Sequence, residues 1–271
     1  EIPFDTLESE LSEFYPSKGS ASRHAPLASY LNMLASHLNT LAAEMLTYAK
    51  YPIIIAGGGV VSAGAGMELV QLAEILKAPV FVTPMSKGII PSTHPLSAGL
   101  IGAVGDDSVP ALVEQANAVL SIGCSLSQRT AENWQLQLPK DLIQIDIEEK
   151  AIGRNYPVRI GIVADAKTAL GQIIRVIEEE KLETQNEWKI STQKLQSSVV
   201  PGSHRNTNQE IVCILRSVLD EESIVGLSGN LLIDLMLTHF DVNSSRTLLH
   251  SCDLRAAGYA LPAAIGAKVA H

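Results

Sequence analysis

The sequence is poor in aromatic residues and in positive charge. Aromatic side chains make up 4% of the 271 residues, and 29 acidic residues outnumber 20 lysines and arginines, which gives a net charge of −9. Because nucleic acids are bound by basic surfaces, this balance argues against a nucleic-acid partner. An apolar run of 18 residues is absent as well, and so is a signal peptide. We therefore expect a cytoplasmic protein without a membrane partner.

Cysteine is also scarce, with three residues that lie far apart in the chain: Cys124, Cys213 and Cys252. Their number is odd and no pair has the spacing of metal ligands, so we expect buried free thiols in a reducing compartment. The sequence contains no recognisable nucleophile triad, paired-carboxylate site or metal-ligating cluster. It therefore predicts no catalytic residue and no metal ligand among its 271 residues.

What is present near position 50 is an apolar segment followed by a glycine turn. Residues 51–56 read Tyr-Pro-Ile-Ile-Ile-Ala, and Gly57, Gly58 and Gly59 come next. The apolar run is typical of a strand buried on both faces, and apolar residues at helical spacing follow the glycines. Glycines at such a turn let the backbone approach a ligand phosphate beside a helix N-terminus. This stretch predicts the first half of a βαβ unit.

Further strand-like segments alternate with helical patterns. We expect strands at 79–83, 118–123, 142–147 and 158–163, while residues 84–107 are predicted to form a long irregular connection. After the last strand, an acidic residue is predicted to cap a final helix: Asp165. Buried strands joined by crossover helices predict an α/β fold with a doubly wound parallel sheet, whose ligands bind at the carboxyl ends of the strands.

Three polar side chains complete the predicted ligand site. Thr83 and Asp146 end their strands, and an acid in an apolar strand is costly unless it is paired or faces a ligand. Arg129, next to Thr130 at a predicted helix start, could hold a phosphate or form a surface salt bridge. The glycine run departs from Gly-x-Gly-x-x-Gly because Ser62 takes the third glycine position. Since the second strand also ends without an acid, the sequence argues against a nicotinamide cofactor.

A second α/β unit is expected after a polar linker at 183–206. Residues 207–210 read Thr-Asn-Gln-Glu, the pattern of a capping box at the start of a helix. That helix is predicted to turn four apolar residues inward: Ile211, Ile214, Leu215 and Val218. Strands at 223–227 and 246–250 follow, so the sheet of this unit begins within the chain.

Several short segments occur in an order that identifies a family. They lie at 50–59, 79–91, 94–97, 99–102, 118–123, 145–148, 152–155 and 163–166, and the longest reads Pro-Val-Phe-Val-Thr-Pro-Met-Ser-Lys-Gly-Ile-Ile-Pro. Together they resemble the central domain of thiamine-diphosphate enzymes of the acetolactate synthase type. Residues 1–5 are similar to the end of that family's pyrimidine-binding domain, and residues 258–270 to a signature of its diphosphate-binding domain.

The resemblance implies a Rossmann-like central domain followed by a truncated second α/β domain. We expect residues 1–25 to be the tail of a preceding domain and a linker, 26–182 the central domain, 183–206 a linker, and 207–271 the incomplete start of the thiamine-diphosphate-binding domain. The resemblance also implies a homodimer or homotetramer that binds thiamine diphosphate and Mg²⁺ between subunits. The glutamate that activates the cofactor and the Gly-Asp-Gly…Asn metal motif would lie beyond this sequence. The chain alone is therefore expected not to turn over a 2-keto acid substrate.

Two family loops map onto the second unit. The Asp-x-Gly-Gln loop corresponds to residues 227–230 and the Gly-x-Met-Gly loop to residues 255–258. The resemblance implies four thiamine-diphosphate contacts: Gly229, Asn230, Ala257 and Gly258. Leu227 replaces the acid, Ala257 replaces the methionine that supports the bent cofactor, and Arg255 replaces a glycine. These departures leave open a non-catalytic paralogue or a nucleotide-binding regulatory subunit.

The flavin contacts of the family are altered too. Where flavin-carrying members have Met-His-Gly and an arginine, this sequence has Ala-Val-Gly at 103–105 and Ser125. Two polar contacts to a flavin are therefore missing. We expect the cleft to be empty or to bind an adenine nucleotide such as ADP in preference to FAD, with the glycine turn, Thr83, Arg129 and Asp146 as the nucleotide contacts.

Overall fold

The computed structural model describes residues 25–105, 109–188, 207–251 and 254–270. The chain divides into two compact units, Glu1–Leu34 and Ala35–His271. In the first unit the described part is the beginning of helix α1 (Ala25–Tyr48), which continues into the second unit. The predicted tail and linker before residue 25, most of the predicted linker at 183–206, and Cys252 lie outside the described residues.

Six parallel strands form the main sheet: β1 (Pro52–Ala56), β2 (Val80–Val82), β3 (Ser97–Leu100), β4 (Ala118–Ile122), β5 (Leu142–Asp146) and β6 (Ile160–Val163). Their order in the sheet is β3-β2-β1-β4-β5-β6. The chain builds outward from β1 on one side and then crosses over to build outward from β4 on the other. This order confirms the doubly wound sheet and places its topological switch point between β1 and β4.

Helices cover both faces of this sheet: α2 (Gly58–Ser62), α3 (Gly66–Leu76), α4 (Val109–Gln115) and α5 (Ala166–Glu179). Alternate residues of β1 show the layering. Ile54 and Ala56 belong to a core cluster that includes residues of α3 and α5, while Ile53 and Ile55 belong to a second cluster that includes residues of α4. Since side chains alternate along a strand, a strand buried on both sides must be apolar throughout.

The sequence prediction missed β3, which lies within the segment expected to be irregular. Its four residues, Ser-Ala-Gly-Leu, carry no β-branched or aromatic side chain, so they lack the usual composition of a strand. Gly99 has φ +85° and the register with β2 shifts between Val80 and Val82, so the pairing is interrupted by a bulge. A short, bulged strand at a sheet edge leaves little trace in a sequence pattern.

Beyond residue 206 a second, separate sheet follows, together with three helices. Its elements are α6 (Thr207–Val218), β7 (Val225–Gly226), α7 (Asn230–His239), β8 (Leu248–Leu249) and α8 (Ala260–Ala270). The two strands pair in parallel and form a small sheet of their own. Its buried residues, among them Val212 and Ile233, belong to the same apolar cluster as one face of the main sheet. The domain boundaries stay a prediction.

The inward face predicted for α6 is wrong. Ile211, Ile214 and Val218 are 49%, 61% and 70% exposed, and Leu215 is 37% exposed, whereas Val212 is fully buried. Helical spacing identifies residues that share a face, but it does not determine which face another element covers. The side chains of residues 207 and 208, on which the predicted capping box depends, lie outside the described residues.

Residues 183–188, predicted to begin a linker, are fixed along the amino-terminal end of the sheet. The indole Nε1–H of Trp188 donates to the Pro52 carbonyl at 2.7 Å, and its ring meets Tyr51 edge-on at a centroid distance of 5.2 Å. The Asn186 amide donates to the carbonyls of Leu76 and Lys77 at 2.7 and 2.9 Å. This segment therefore closes the end of the sheet opposite the predicted ligand site.

Candidate functional site

The glycine turn after β1 is packed directly against the turn after β4. The Gly59 amide donates to the Gly123 carbonyl at 3.0 Å, and the Gly57 amide donates to the Ile122 carbonyl at 2.9 Å. A Cβ added to Gly57 would lie 2.2 Å from the Gly123 oxygen, and one added to Gly59 would lie 2.6 Å from the Gly123 Cα. These two glycines are thus required for the approach of two backbone segments at the switch point.

A cleft of about 400 Å³ opens beside this turn, at the carboxyl ends of the strands. The structure brings together in its lining all six residues predicted as nucleotide contacts: Gly57, Gly58, Gly59, Thr83, Arg129 and Asp146. A cleft at the switch point of a doubly wound sheet is where such folds bind ligands. Binding of a nucleotide by these residues stays a prediction.

Thr83 stabilises the wall of the cleft through its hydrogen bond with Ser86. Its backbone N–H donates to Ser86 Oγ at 2.9 Å, and the Ser86 hydroxyl donates to the Ala56 carbonyl at 2.6 Å. Both side chains are buried, and they cap the short 3₁₀ turn Pro84–Ser86. This network fixes the end of β2 to the end of β1. Sequence reasoning missed Ser86, because the usual capping-box signature has Glu or Gln at this position.

Asp146 lies where it was predicted, at the carboxyl end of β5. Its Oδ1 accepts the backbone N–H of Glu148 at 3.0 Å, so the carboxylate also stabilises the turn after the strand. It lines the cleft opposite the glycine turn. A carboxylate in this place can accept hydrogen bonds from ligand hydroxyls, as acidic residues do with ribose in dinucleotide-binding folds.

Arg129 lies in a series of turns at residues 128–135, so the predicted helix start is wrong. Its carbonyl accepts the Ala103 N–H at 2.9 Å and lies against Gly102, where an added Cβ would come within 2.3 Å of that oxygen. This contact joins the turns at residues 128–135 to the loop after β3. The guanidinium Nη2 of Arg129 is 3.5 Å from Oδ1 of Asp234, which sequence reasoning also missed.

The two loops matched to the family's cofactor loops meet at the start of α7. The Gly258 N–H donates to Ser228 Oγ at 3.1 Å, and Gly229 and Gly258 have φ angles of +92° and +77°. Helix α7 begins directly after Gly229, so amide groups at its N-terminus are available to an anionic group. The backbone of these loops thus fits contact with a diphosphate-bearing cofactor.

The side chains at the three altered positions do not replace the acid or the supporting methionine of the family's loops. Leu227 is 3% exposed and lies in the apolar core, so that position offers no polar group to a ligand. Arg255 Nη2 donates to Asp234 Oδ1 at 2.6 Å. Ala257 is exposed, with a methyl group where a wedge-like side chain is expected. A cofactor here would be held mainly by backbone groups.

Two further ionisable groups near the cleft are strongly affected by burial. Desolvation lowers the pKa of Lys87 to about 8, partly opposed by Asp241, and the Lys87 ammonium donates to the Leu237 carbonyl in α7. Desolvation raises the pKa of the Cys124 thiol to about 11, so this buried cysteine stays neutral and is no nucleophile near pH 7. Cys213 forms no disulfide bond and is partly exposed, whereas the sequence predicted a buried thiol.

Two searches over the described ranges of the chain gave negative results. Among these residues, three or more His, Cys, Asp or Glu side chains are nowhere grouped in a way that could hold a metal ion. None of the described helices combines the length and apolarity that crossing a membrane requires.

The strand order and the cleft define a doubly wound α/β domain with a cleft at its topological switch point. Residues 40–173 match the family model of the thiamine pyrophosphate enzyme central domain. These residues are therefore similar to the central domain of thiamine pyrophosphate enzymes, and the expected resemblance to the acetolactate synthase type is confirmed.

Full-length relatives carry related names. A probable acetolactate synthase large subunit of Methanococcus aeolicus is 31% identical over 225 residues, which cover 75% of this chain and 37% of that protein. The probable acetolactate synthase large subunit of Methanocaldococcus jannaschii is 32% identical over 216 residues, covering 75% and 36%. A putative thiamine pyrophosphate-containing protein, YdaP, of Bacillus subtilis is 27% identical over 214 residues, covering 75% and 36%. The chain thus matches little more than a third of the length of these relatives.

Proposed function

We propose that this chain is part of a thiamine-diphosphate-dependent enzyme that decarboxylates a 2-keto acid and joins the product to an acceptor, as an acetolactate synthase does. The family match and the names of the relatives support this class. The observation that carries the proposal is the hydrogen bond from the Gly258 N–H to Ser228 Oγ, which joins the two matched loops just before α7 begins. Bound thiamine diphosphate would supply an electron sink for the negative charge that develops on the former carbonyl carbon of the substrate.

In this proposal the chain's own residues position the cofactor loops and stabilise the cleft. The six-stranded sheet fixes the turns that line the cleft, and Lys87 and Ser92, in the connection after β2, donate hydrogen bonds to the carbonyls of residues 237 and 242. Gly229, Asn230, Ala257 and Gly258 would contact the cofactor, with Mg²⁺ held by residues outside this sequence. The chain alone is expected to be inactive, and the whole protein to be a cytoplasmic homodimer or homotetramer.

A second candidate function is a non-catalytic paralogue that binds a nucleotide and regulates a partner enzyme. Two observations favour it: Leu227 is buried in the core, and Arg255 is engaged by Asp234 in the loop that normally faces the cofactor. The cleft supplies the nucleotide site in either case. We propose that it takes ADP rather than FAD, because Ser125 and residues 103–105 lack the polar flavin contacts.

Turnover by the full-length protein separates the two functions. Pyruvate would be supplied with thiamine diphosphate and Mg²⁺, and release of carbon dioxide would be followed with acetolactate formation. An enzyme should give product and a thiamine-diphosphate-dependent rise in melting temperature, while the 271-residue chain should give no product. Absence of both signals from the full-length protein would eliminate the catalytic proposal. Calorimetry of the chain with ADP, FAD and NAD tests the cleft, and sedimentation of the full-length protein tests the oligomer.

A further inference from the structure

The carboxyl end of α7 is held by a lysine from a distant part of the chain. Lys87 follows the 3₁₀ turn Pro84–Ser86, and its ammonium donates to the carbonyl of Leu237. That carbonyl is one of the last four of the helix, which have no amide partner within it. The Met236 carbonyl accepts the Phe240 N–H at 3.0 Å, and Lys87 supplies the next bond in the series. Lys87 therefore caps α7 from another element of the fold.

The charge of this cap suits its position. A helix carries partial negative charge at its carboxyl end, so a cation there is favourable. Burial lowers the pKa of Lys87 to about 8, and Asp241, which lies just beyond the helix, opposes that shift, so the ammonium is mostly charged near pH 7. An apolar side chain would fill the same space without the cost of desolvating a charge. The lysine therefore indicates that the hydrogen bond itself is needed.

The backbone that carries Lys87 is fixed on both sides. Before it, the Ser86 hydroxyl donates to the Ala56 carbonyl at 2.6 Å, which joins the turn to the end of β1. After it, Gly88 lies against the loop that follows α7, where an added Cβ would come within 2.6 Å of the Ser244 oxygen. The position of Lys87, and with it the carboxyl end of α7, is therefore set by the main sheet.

The opposite end of α7 meets the loop of residues 255–258. The helix begins at Asn230, and Ser228 just before it accepts the Gly258 N–H at 3.1 Å. Ten residues make α7 about 15 Å long, so a shift of its carboxyl end is passed to its amino end as by a short rod. The buried side chain of Ile233 helps to pack the helix, but apolar contacts are not directional. Directional bonds at the end of the helix therefore fix its position along its axis.

We propose that Lys87 is a positioning residue for the cofactor loops: by capping the carboxyl end of α7, it holds Ser228 and the first amides of the helix where a bound diphosphate would contact them. The inference rests on the proposed function, because it gives Lys87 an indirect part in binding thiamine diphosphate. Thr238 Oγ1, which donates to the Val104 carbonyl at 3.2 Å, supports the same end of the helix. Loss of the lysine should therefore loosen the position of α7 without unfolding it.

Hydrogen exchange of the 271-residue chain, resolved by residue with NMR, tests the positioning without cofactor. Lys87→Met keeps a long side chain but removes the donor, and it should speed exchange of the Gly258 amide about tenfold, because the bond to Ser228 opens when α7 shifts. The Ala256 amide donates to Ser251 Oγ at 2.8 Å within the same stretch and is the internal control. Its exchange should change less than about twofold, whereas general destabilisation would speed both amides alike.

The affinity of the full-length protein for thiamine diphosphate tests the consequence. In a fluorescence titration with Mg²⁺, Lys87→Met should weaken binding about tenfold, while Lys87→Arg, which keeps the charge and the donors, should stay within about threefold of wild type. Trp188→Phe is the matched control, because it removes a hydrogen bond to Pro52 at the amino-terminal end of the main sheet. That variant should leave the affinity unchanged.

The outcomes separate this inference from the proposed function. Equal acceleration of the Gly258 and Ala256 amides, or a Lys87→Met protein that binds the cofactor as tightly as wild type, would overturn the positioning role and leave the class of enzyme in place. An equal loss of affinity in Lys87→Arg and Lys87→Met would also overturn it, because the donor would then not be the cause. If the wild-type full-length protein binds no thiamine diphosphate, the proposed function fails and this inference fails with it.

Discussion

Gly57 in the turn after β1 packs against Gly123 in the turn after β4, and neither glycine has room for a side chain. A Cβ on Gly57 would lie 2.2 Å from the Gly123 oxygen, and a Cβ on Gly123 would lie 2.7 Å from the Gly59 Cα. The contact fixes the turns after β1 and β4 at the floor of the cleft. A glycine run that suggests phosphate binding from sequence thus has a packing role that is independent of any ligand.

Gly57→Ala should therefore destabilise the chain even without ligand. Backbone atoms oppose the new methyl group, so the two turns must separate, and we expect a loss of about 1–3 kcal/mol in the free energy of unfolding by urea titration. Gly171→Ala is the matched control: its site in α5 has nothing within 4 Å of the new Cβ. That change should stabilise the chain by about 0.5–1 kcal/mol. Equal stability of the two variants would contradict the packing role.

Much of the sheet could be predicted because burial on both faces demands apolar strands. The predicted strand at 142–147 is β5 (Leu142–Asp146), and Asp165 caps α5 by accepting the Thr168 N–H at 3.0 Å, as its position before the helix indicates. The placement of Asp146 at a carboxyl end followed from the same pattern. Local pattern and global fold agree in this region.

What the sequence could not provide is contact between distant segments. The Asp234 carboxylate meets Arg129 and Arg255 because α7 and the loop of residues 255–258 pack near the cleft, and no local spacing encodes such a contact. The prediction of which face of α6 is buried was wrong for a related reason. The apolar spacing shows that Ile211 and Ile214 lie on the same side of the helix. Whether that side is buried depends on which other elements pack against it, and here it is exposed.

Trp188 should contribute measurably to stability through its attachment to β1. Trp188→Phe removes the hydrogen bond to the Pro52 carbonyl while keeping a ring against Tyr51, and should cost about 1 kcal/mol in the free energy of unfolding. Trp188→Ala also removes the ring and should cost about 3 kcal/mol. Tyr51→Phe, which removes an exposed 3.2 Å contact with Glu187, is the control and should cost less than about 0.5 kcal/mol. A Trp188→Ala chain as stable as Tyr51→Phe would show that residues 183–188 are not a structural part of the unit.

Stability should rise as the pH increases from about 8 to about 9. The folded state holds the pKa of Lys87 at about 8 against an ordinary 10.5, so over this window the unfolded chain binds more protons and unfolding becomes less favourable with pH. The full difference corresponds to roughly 3 kcal/mol, and partial exposure of the side chain should reduce it. Above pH 9 the raised pKa of Cys124, about 11, acts in the opposite direction.

Urea titrations at several pH values between 7 and 9 measure this dependence. Lys87→Met should abolish the increase of stability between pH 8 and 9. The variant also lacks the donor to the Leu237 carbonyl, so its stability at pH 7 is compared separately. Lys167→Met removes an exposed lysine that pairs with Glu68 at 3.4 Å and should keep the rise. A wild-type profile that is flat or falling between pH 8 and 9 would show that Lys87 is not desolvated in the folded chain.

Ala257→Met in the full-length protein tests whether the cofactor loop retains its family role. Because Ala257 is exposed, the longer side chain should change the free energy of unfolding by less than about 0.5 kcal/mol. If thiamine diphosphate lies against this loop, the methionine restores an apolar support, and the affinity for the cofactor should increase about tenfold in a fluorescence titration. Ala264→Met, at a separate position on α8, is the matched control and should leave the affinity unchanged. An unchanged affinity in Ala257→Met would place the cofactor away from residues 257–258 and favour the non-catalytic paralogue.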